Sequence, residues 1–388
     1  MLPRSSVQAR VPTHTFPTSP VQVGPGADEF LRDRATRAAN VRTRSVGGSE
    51  ISERHQTRPI DDLTRDILLA ETPTLSSQDA PMWDTEDFVP GRVATAVEFW
   101  ESSILPTCTP EQQVMYLRWL VEGVSFHEFV NVEAEGVFQG QAYRGADLTP
   151  VELPNHVPPE FRSFMDETID DYVRTGVVAT WDRVADTTLH PKPRIVQPLG
   201  VEPNKPRATY DARYANLMMR DCPFQMDGPG KIAQIAWEGV FQMKCDHKAG
   251  FHNVALAKES WQYFGLQWRG VYYVFTTLCF GWKISHFIYR SLSKAVESFL
   301  RSQGLPVLTW IDDFYFTNFR ITRLLTSAEQ LRLAQVAGHL VMSVFYRAGY
   351  FMSIAKCELE PTTNIIFLGV QSDSIAQRFS IPEENSTS

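Results

Sequence analysis

The chain has 388 residues, 43% hydrophobic and 12% aromatic, which allows a sizeable core and suggests two or three domains. A net charge of −8 does not mark a nucleic-acid binder, and no run of about 18 apolar residues marks a membrane span. The five cysteines (Cys108, Cys222, Cys245, Cys279, Cys357) include no CxxC pair, which excludes a disulfide framework or zinc knuckle.

Residues 1–80 are rich in Arg, Thr, Ser, Pro and Gly and nearly free of aromatics, so they are expected to be a disordered tail with one short helix at Asp61–Leu69. Their start, MLPRSSVQARVPTHTF, lacks the apolar core of a secretory leader. With the free cysteines, this places the protein inside the cell, in cytoplasm or nucleus. Order is expected from Trp83. Residues 81–185 read as a helical preamble: AVEFWESSIL, then a helix from Pro110 with Val114, Leu117, Trp119, Leu120 and Val121 on its apolar face, then Pro159–Arg174 ending at Gly176.

The texture changes near residue 190. RIVQPLGV and RATYDAR look extended, and VFQMKCD and GVYYVFTTL read as strands. VLTWI and FYFTN form two more, and FMSIA and NIIFLGV follow as later strands. Between them lie two long helices. One carries Ile284, Phe287, Ile288, Leu292, Val296, Phe299 and Leu300 at three- and four-residue steps and stops at Gly304. The other carries Leu333, Val336, Ala337, Leu340, Val341, Val344 and Phe345 and stops at Gly349. This order predicts a sheet covered by helices on one face. Residues 190–245 hold eight Lys and Arg against five Asp and Glu, a locally basic stretch in an acidic chain; by charge alone it reads as ordinary solvated surface.

Asp312 and Asp313 interrupt an otherwise apolar run, LTWIDDFYF. By itself such a pair reads as a hairpin turn. VFQMKCD, however, also ends on an acid, Asp246. If its strand lies beside a VLTWI–FYFTN hairpin with both acids in the turn, three carboxylates meet. Their repulsion is relieved by hard divalent cations, Mg²⁺ or Mn²⁺, and two such ions about 3.5–4 Å apart serve in-line phosphoryl transfer.

Several stretches, taken in order, resemble the reverse transcriptases of retroelements. KPRATYDARYAN (205–216) looks like their fingers motif. DHKAGFHNV (246–254) looks like their first catalytic motif, with an aromatic five residues after the Asp. TLCFGWKIS (277–285) is similar to the glycine turn that opens a helix, with Cys279 and His286 where Pro is common. WIDDF (310–314) resembles the aromatic-X-Asp-Asp box, with Trp310 for the usual Tyr or Phe. GYFMSIAKCEL (349–359) and FLG (367–369) resemble the last two palm motifs. In texture the chain looks closest to LTR-type and tyrosine-recombinase (DIRS-like) retrotransposons.

The resemblance implies an α+β, right-hand polymerase. Fingers are expected at 186–245 with part of 255–276, and an antiparallel palm sheet backed by helices at 240–375. A tail is expected at 376–388, too short for a thumb, and no RNase H segment is expected. The activity implied is RNA-directed DNA synthesis on a template–primer from dNTPs, with two Mg²⁺ (or Mn²⁺) ions. Asp246 and Asp312 would hold the metals, with Asp313 as the weaker partner. Lys205 and Arg207 would face the triphosphate, Phe251 would lie under the sugar, Phe280 and Gly281 would shape the base pocket, and Lys356 would stand near the pyrophosphate. The alternatives are a truncated, inactive remnant that keeps the fold or only binds nucleic acid, and another metal-dependent phosphotransferase such as a nuclease.

Overall fold

The computed structural model describes residues 88–319 and 325–382. The tail expected over 1–80, its short helix, Trp83 and the end of the 376–388 tail lie outside these residues.

The first described segment is not the regular helix its pattern suggests. A 3₁₀ turn (Arg92–Ala96), one α turn (Val97–Phe99), a π turn (Trp100–Ile104) and a second 3₁₀ turn (Leu105–Thr107) follow one another. Pro106 has no N–H to continue an α-helical ladder. The irregular winding buries both Trp100 and Ile104, and the Trp100 indole donates to the Ala348 carbonyl at 3.0 Å. Helix α1 (Pro110–Glu122) begins in a capping box, Thr109 with Gln112, and buries Tyr116, Leu117, Trp119 and Leu120. Val114 and Val121, expected on that face, are exposed, because they lie roughly a quarter-turn away from it.

Residues 81–185 are not wholly helical. Strands β1 (Glu135–Phe138) and β2 (Gln141–Arg144) form a hairpin through Gln139 and Gly140, both at positive φ. Strand β3 (Val151–Glu152) precedes helix α2 (Arg162–Thr175), which ends on left-handed Gly176 and leads into β4 (Val178–Thr180). Next come β5 (Ile195–Val196) and the hairpin β6 (Leu199–Glu202) and β7 (Arg207–Tyr210). RATYDAR is extended only as far as Tyr210, since Asp211 then accepts from the Arg213 amide and opens a short helix, Arg213–Leu217. After β8 (Gln242–Asp246), β9 (Gly265–Trp268) and β10 (Val271–Phe275) complete a five-stranded sheet in the order β3-β5-β9-β10-β4. Val151 pairs with Ile195 of β5 and Val178 with Phe275 of β10, so both are buried by strands that come well after them in the chain.

Helix α3 (Lys283–Ser302), the hairpin β11 (Val307–Trp310) and β12 (Asp313–Thr317), helix α4 (Ser327–Arg347) and β13 (Glu358–Thr362) build the central unit. Its sheet, β11-β12-β8-β13, is antiparallel throughout. Side chains alternate across it. Phe314, Phe316, Met243 and Cys245 join the main core with α3 and α4. Leu308 and Tyr315 point the other way, into a second core with Ile232, Ile365 and Phe367. FYF is therefore buried throughout because both faces of the sheet are covered. FMSIA is not a strand: pairing stops at one bridge, Met352 to His247, made by the Ser353 amide on the Asp246 carbonyl and the Lys248 amide on the Phe351 carbonyl, and the chain then winds into a 3₁₀ turn, Ile354–Lys356, with the Lys356 amide on the Ser353 carbonyl. NIIFLGV folds back at Leu368 and Gly369, both left-handed, into β14 (Asn364–Phe367) and β15 (Val370–Asp373). The expected tail contributes β16 (Arg378–Ser380), paired with β15.

Asp227 and Glu297 are buried among Arg290, Arg301, Lys294 and Lys231. Asp227 also accepts from the Thr309 amide of β11. Removing one partner leaves buried charges uncompensated. Asp227→Ala is expected to cost about 3–5 kcal/mol of stability in a denaturant titration. Asp171→Ala, which breaks an exposed pair with Arg174, should cost less than about 1 kcal/mol.

Candidate active site

The pairing register brings the acids together. Asp313 lies directly opposite Asp246, and Trp310 opposite Asp313. The hairpin turn is therefore Ile311–Asp312, and Asp313 is the first residue of β12 rather than part of the turn. Ile311 stands at φ +54°, where a β-branched residue is strained. The His247 amide holds the turn by donating to the Asp312 carbonyl at 3.0 Å.

Asp246 is 7% exposed and both other acids are half-buried. Burial pushes the Asp313 carboxyl up to about 6, and the charges of Asp312 and Asp246 add to it while Lys356 opposes. Asp312 is also raised, first by burial and then by Asp246. Asp313, read from the sequence as the weaker partner, is thus the carboxyl facing Asp246 across the sheet. Lys356 Nζ lies 3.1 and 3.3 Å from the two Asp246 oxygens, delivered by the turn that replaces the expected strand.

Phe251 follows in a 3₁₀ turn, Gly250–Asn253, entered through left-handed Ala249. It is 3% exposed, beneath Phe280 at a centroid distance of 4.7 Å, while Phe280 itself is 51% exposed. A sugar approaching this wall would meet Phe280 first. Gly281 has φ +93°, and a Cβ there would come within 2.0 Å of the Tyr210 carbonyl, so the turn depends on glycine. Lys205 and Arg207 are exposed on the β6–β7 hairpin, the same hairpin whose Tyr210 touches Gly281. No hydrogen bond or ion pair among the described residues joins them to the three carboxylates.

The sequence reading missed Asn253. Its amide donates to the Lys248 and Gly250 carbonyls at 3.0 Å, and its oxygen accepts from Phe351 N, which fixes the loop behind Asp246. A lone Asn in a polar loop gives no such signal. His247 and Tyr289 likewise give no signal in the sequence, since both resemble ordinary core residues.

Among the described residues no three His, Cys, Asp or Glu side chains already surround a common point for a metal ion. The donor set still fits one chemically. It is all oxygen, as Mg²⁺ and Mn²⁺ prefer. A cationic ammonium rests on both oxygens of Asp246, which shows that the spot accepts positive charge.

No family model and no curated protein matches the chain. Among solved structures, it is similar to a foamy viral protease-reverse transcriptase in complex with dsDNA, with 17% identity and a TM-score of 0.49 over 78% of this chain and 58% of that one. A complex of that protein with an RNA/DNA hybrid gives 17% and 0.48 over 79% and 39%. The native prototype foamy virus protein gives 19% and 0.45 over 79% and 38%. The chain spans less than two thirds of each.

Asp313 binds its proton more tightly in the folded chain than in the unfolded one. Its ionisation therefore costs nothing at low pH, opposes folding increasingly between its ordinary value of 3.8 and about 6, and opposes it fully above that. Asp313→Asn should melt higher than wild type at pH 7.5 in EDTA, with the difference closing near pH 4. Equal gains at both pH values would contradict the charge argument.

Proposed function

We propose that this chain is the fingers–palm portion of a retroelement reverse transcriptase, an RNA-directed DNA polymerase. The observation that carries the reading is the register that sets Asp313 opposite Asp246, with Asp312 in the adjoining turn, at one end of an antiparallel sheet backed by two helices. Palm and fingers are proposed at 240–375 and 186–245. The DIRS-like affinity rests on sequence texture alone.

Asp246, Asp312 and Asp313 would hold the cations, and Asp313, facing Asp246, is as well placed as Asp312. Bound there, two Mg²⁺ would lower the pKa of the primer 3′-hydroxyl and offset charge on the leaving pyrophosphate. Lys356 would release Asp246 as they enter; its side chain is 67% exposed and free to swing, and Nζ can hand a proton to the leaving group. Lys205 and Arg207 would bind the triphosphate of the incoming dNTP through charge-assisted bonds. Phe280 would meet the nascent pair, supported from below by Phe251. The template–primer would be held chiefly by phosphate contacts, so binding should fall steeply with salt.

A second reading, a chain that keeps the fold or binds nucleic acid without polymerising, is favoured by the Lys356–Asp246 pair and by the lack of a preformed ligand cluster among the described residues. One assay separates the two: dNTP incorporation on an RNA template with a DNA primer and Mg²⁺. Asp246→Asn and Asp312→Asn should each lower the rate by about 10³-fold, near 4 kcal/mol of transition-state stabilisation. Undiminished activity in both would sink the carboxylate roles. A folded wild type that incorporates nothing favours the second reading.

Sugar choice gives another check. Phe251→Ala should raise rNTP use relative to dNTP about tenfold, within the range one pocket contact discriminates. It should also cost about 3–5 kcal/mol as a core cavity. Phe280→Ala should raise the KM for dNTP with little loss of stability. An unchanged rNTP/dNTP ratio in Phe251→Ala removes that residue from sugar selection.

A further inference from the structure

The carboxylate site uses neither Lys192 nor Arg194, two bases of the 190–245 stretch. Both line a cavity of about 860 Å³ beside the starts of β3 and β5. The cavity shares no residue with the candidate active site. Its volume falls in the range of small-molecule sites, roughly 300–1,000 Å³.

The walls are tied together across the chain. The Arg194 guanidinium donates to the Leu148 carbonyl at 2.8 Å and to the Asp147 carbonyl beside it. Lys192 Nζ lies 2.6 Å from the Glu152 carboxylate, to which the Tyr272 hydroxyl also donates at 3.0 Å. The Trp181 indole donates to the His190 carbonyl at 2.7 Å. Pro150, Pro191 and Pro193 add wall with fixed φ and no N–H. The cavity is thus preformed, and a ligand would not have to order it.

The polar groups of the lining are unevenly matched. Lys192 is neutralised by Glu152, and Asp147 faces Arg144 at 3.6 Å. Arg194 has no carboxylate partner among the described residues, since its acceptors are backbone carbonyls. Tyr263 is 4% exposed, yet its hydroxyl makes no hydrogen bond among the described residues and so opens into the cavity. The His127 ring stands edge-on to Tyr263 at 5.1 Å, also without a hydrogen bond there. Burial lowers the His127 pKa and raises that of Tyr263, while the charges of Glu259 and Arg194 act on both in opposite senses. At pH 7 the imidazole is therefore neutral, with one N–H, and the phenol keeps its proton. Glu259 is not part of the lining. Val130, Leu148 and Trp181 supply apolar wall, and Val132 and Leu189 are exposed apolar residues of the same lining.

We propose that this cavity binds a small ligand with one anionic group, a carboxylate or a phosphate monoester, on an apolar body of ring size. The anion would accept from Arg194, Tyr263 and His127, and the body would lie along the apolar wall. One unneutralised guanidinium suits one such group, and Glu152 and Asp147 disfavour a more highly charged ligand. The site lies apart from the nucleotidyl-transfer reading and stands without it.

The test titrates the full chain by calorimetry, in EDTA, with two pairs of probes: naphthoate against naphthamide, and AMP against adenosine. In at least one pair the anion should bind about tenfold or more tightly than its neutral counterpart, the size of a hydrogen bond to a charged group. The pair with the larger ratio identifies the anionic group. Tyr263→Phe, which removes one oxygen and keeps the ring, should weaken that anion about three- to tenfold. Ala146→Trp, which sets a large ring on an exposed position of the lining, should abolish binding with Tm unchanged. Asp246→Asn should bind the anion as wild type does.

Equal affinity within both pairs would overturn the proposal, as would anion binding that survives Ala146→Trp or is unmoved by Tyr263→Phe. Loss of binding in Asp246→Asn alone would place the anion at the carboxylates and take it out of this cavity.

Discussion

The register between β8 and β12 governs both the core and the site. Side chains alternate along a strand, so a slip of one residue would turn Phe314 and Phe316 away from α3 and α4 and bring Tyr315 in their place. The same slip would move Asp313 off Asp246. Packing and chemistry are thus set by one choice, and the two covered faces of the sheet make that choice expensive to alter. The hairpin adds a second lock, because Trp310 and Asp313 close a turn of only two residues.

This rigidity explains how mutually repelling acids can be kept in contact. In a loose loop they would drift apart. Here Asp246 and Asp313 are fixed by backbone pairing, and Asp312 by the His247 amide. Burial first, and then the neighbouring carboxylates, raises the Asp312 and Asp313 pKa values, and an ammonium is drawn onto Asp246. A site of this kind favours positive charge, and here Lys356 supplies it.

Much of this was legible in the sequence. The long helices, β8, β11 and β12 follow from periodicity, and the meeting of Asp246 with Asp312 and Asp313 follows from strands that end on acids. What was hidden depends on distant partners. FMSIA has the composition of a strand, but its pairing ends after the single Met352–His247 bridge, and the Lys356 amide closes a 3₁₀ turn on the Ser353 carbonyl that delivers Lys356. β3 and β4 are two and three residues long, too short to register as a pattern before their partners are known. Phe251, read from its spacing after Asp246 as lying under the sugar, is covered by Phe280, which nothing in its neighbourhood foretells. Composition puts Asp313 in the turn, whereas the two-residue geometry assigns that place to Ile311 and Asp312.

The ionic cluster around Asp227 has a further consequence. β11 is the outermost strand of the central sheet, and an outermost strand offers open N–H and C=O groups to any other chain. Asp227 answers both at Thr309: its amide donates to the Thr309 carbonyl, and its carboxylate accepts from the Thr309 amide, each at 3.3 Å. One aspartate thereby mimics a neighbouring strand at that point, and the Arg and Lys side chains around it hold the mimic in place. The cluster thus blocks edge-to-edge association at that point of the strand.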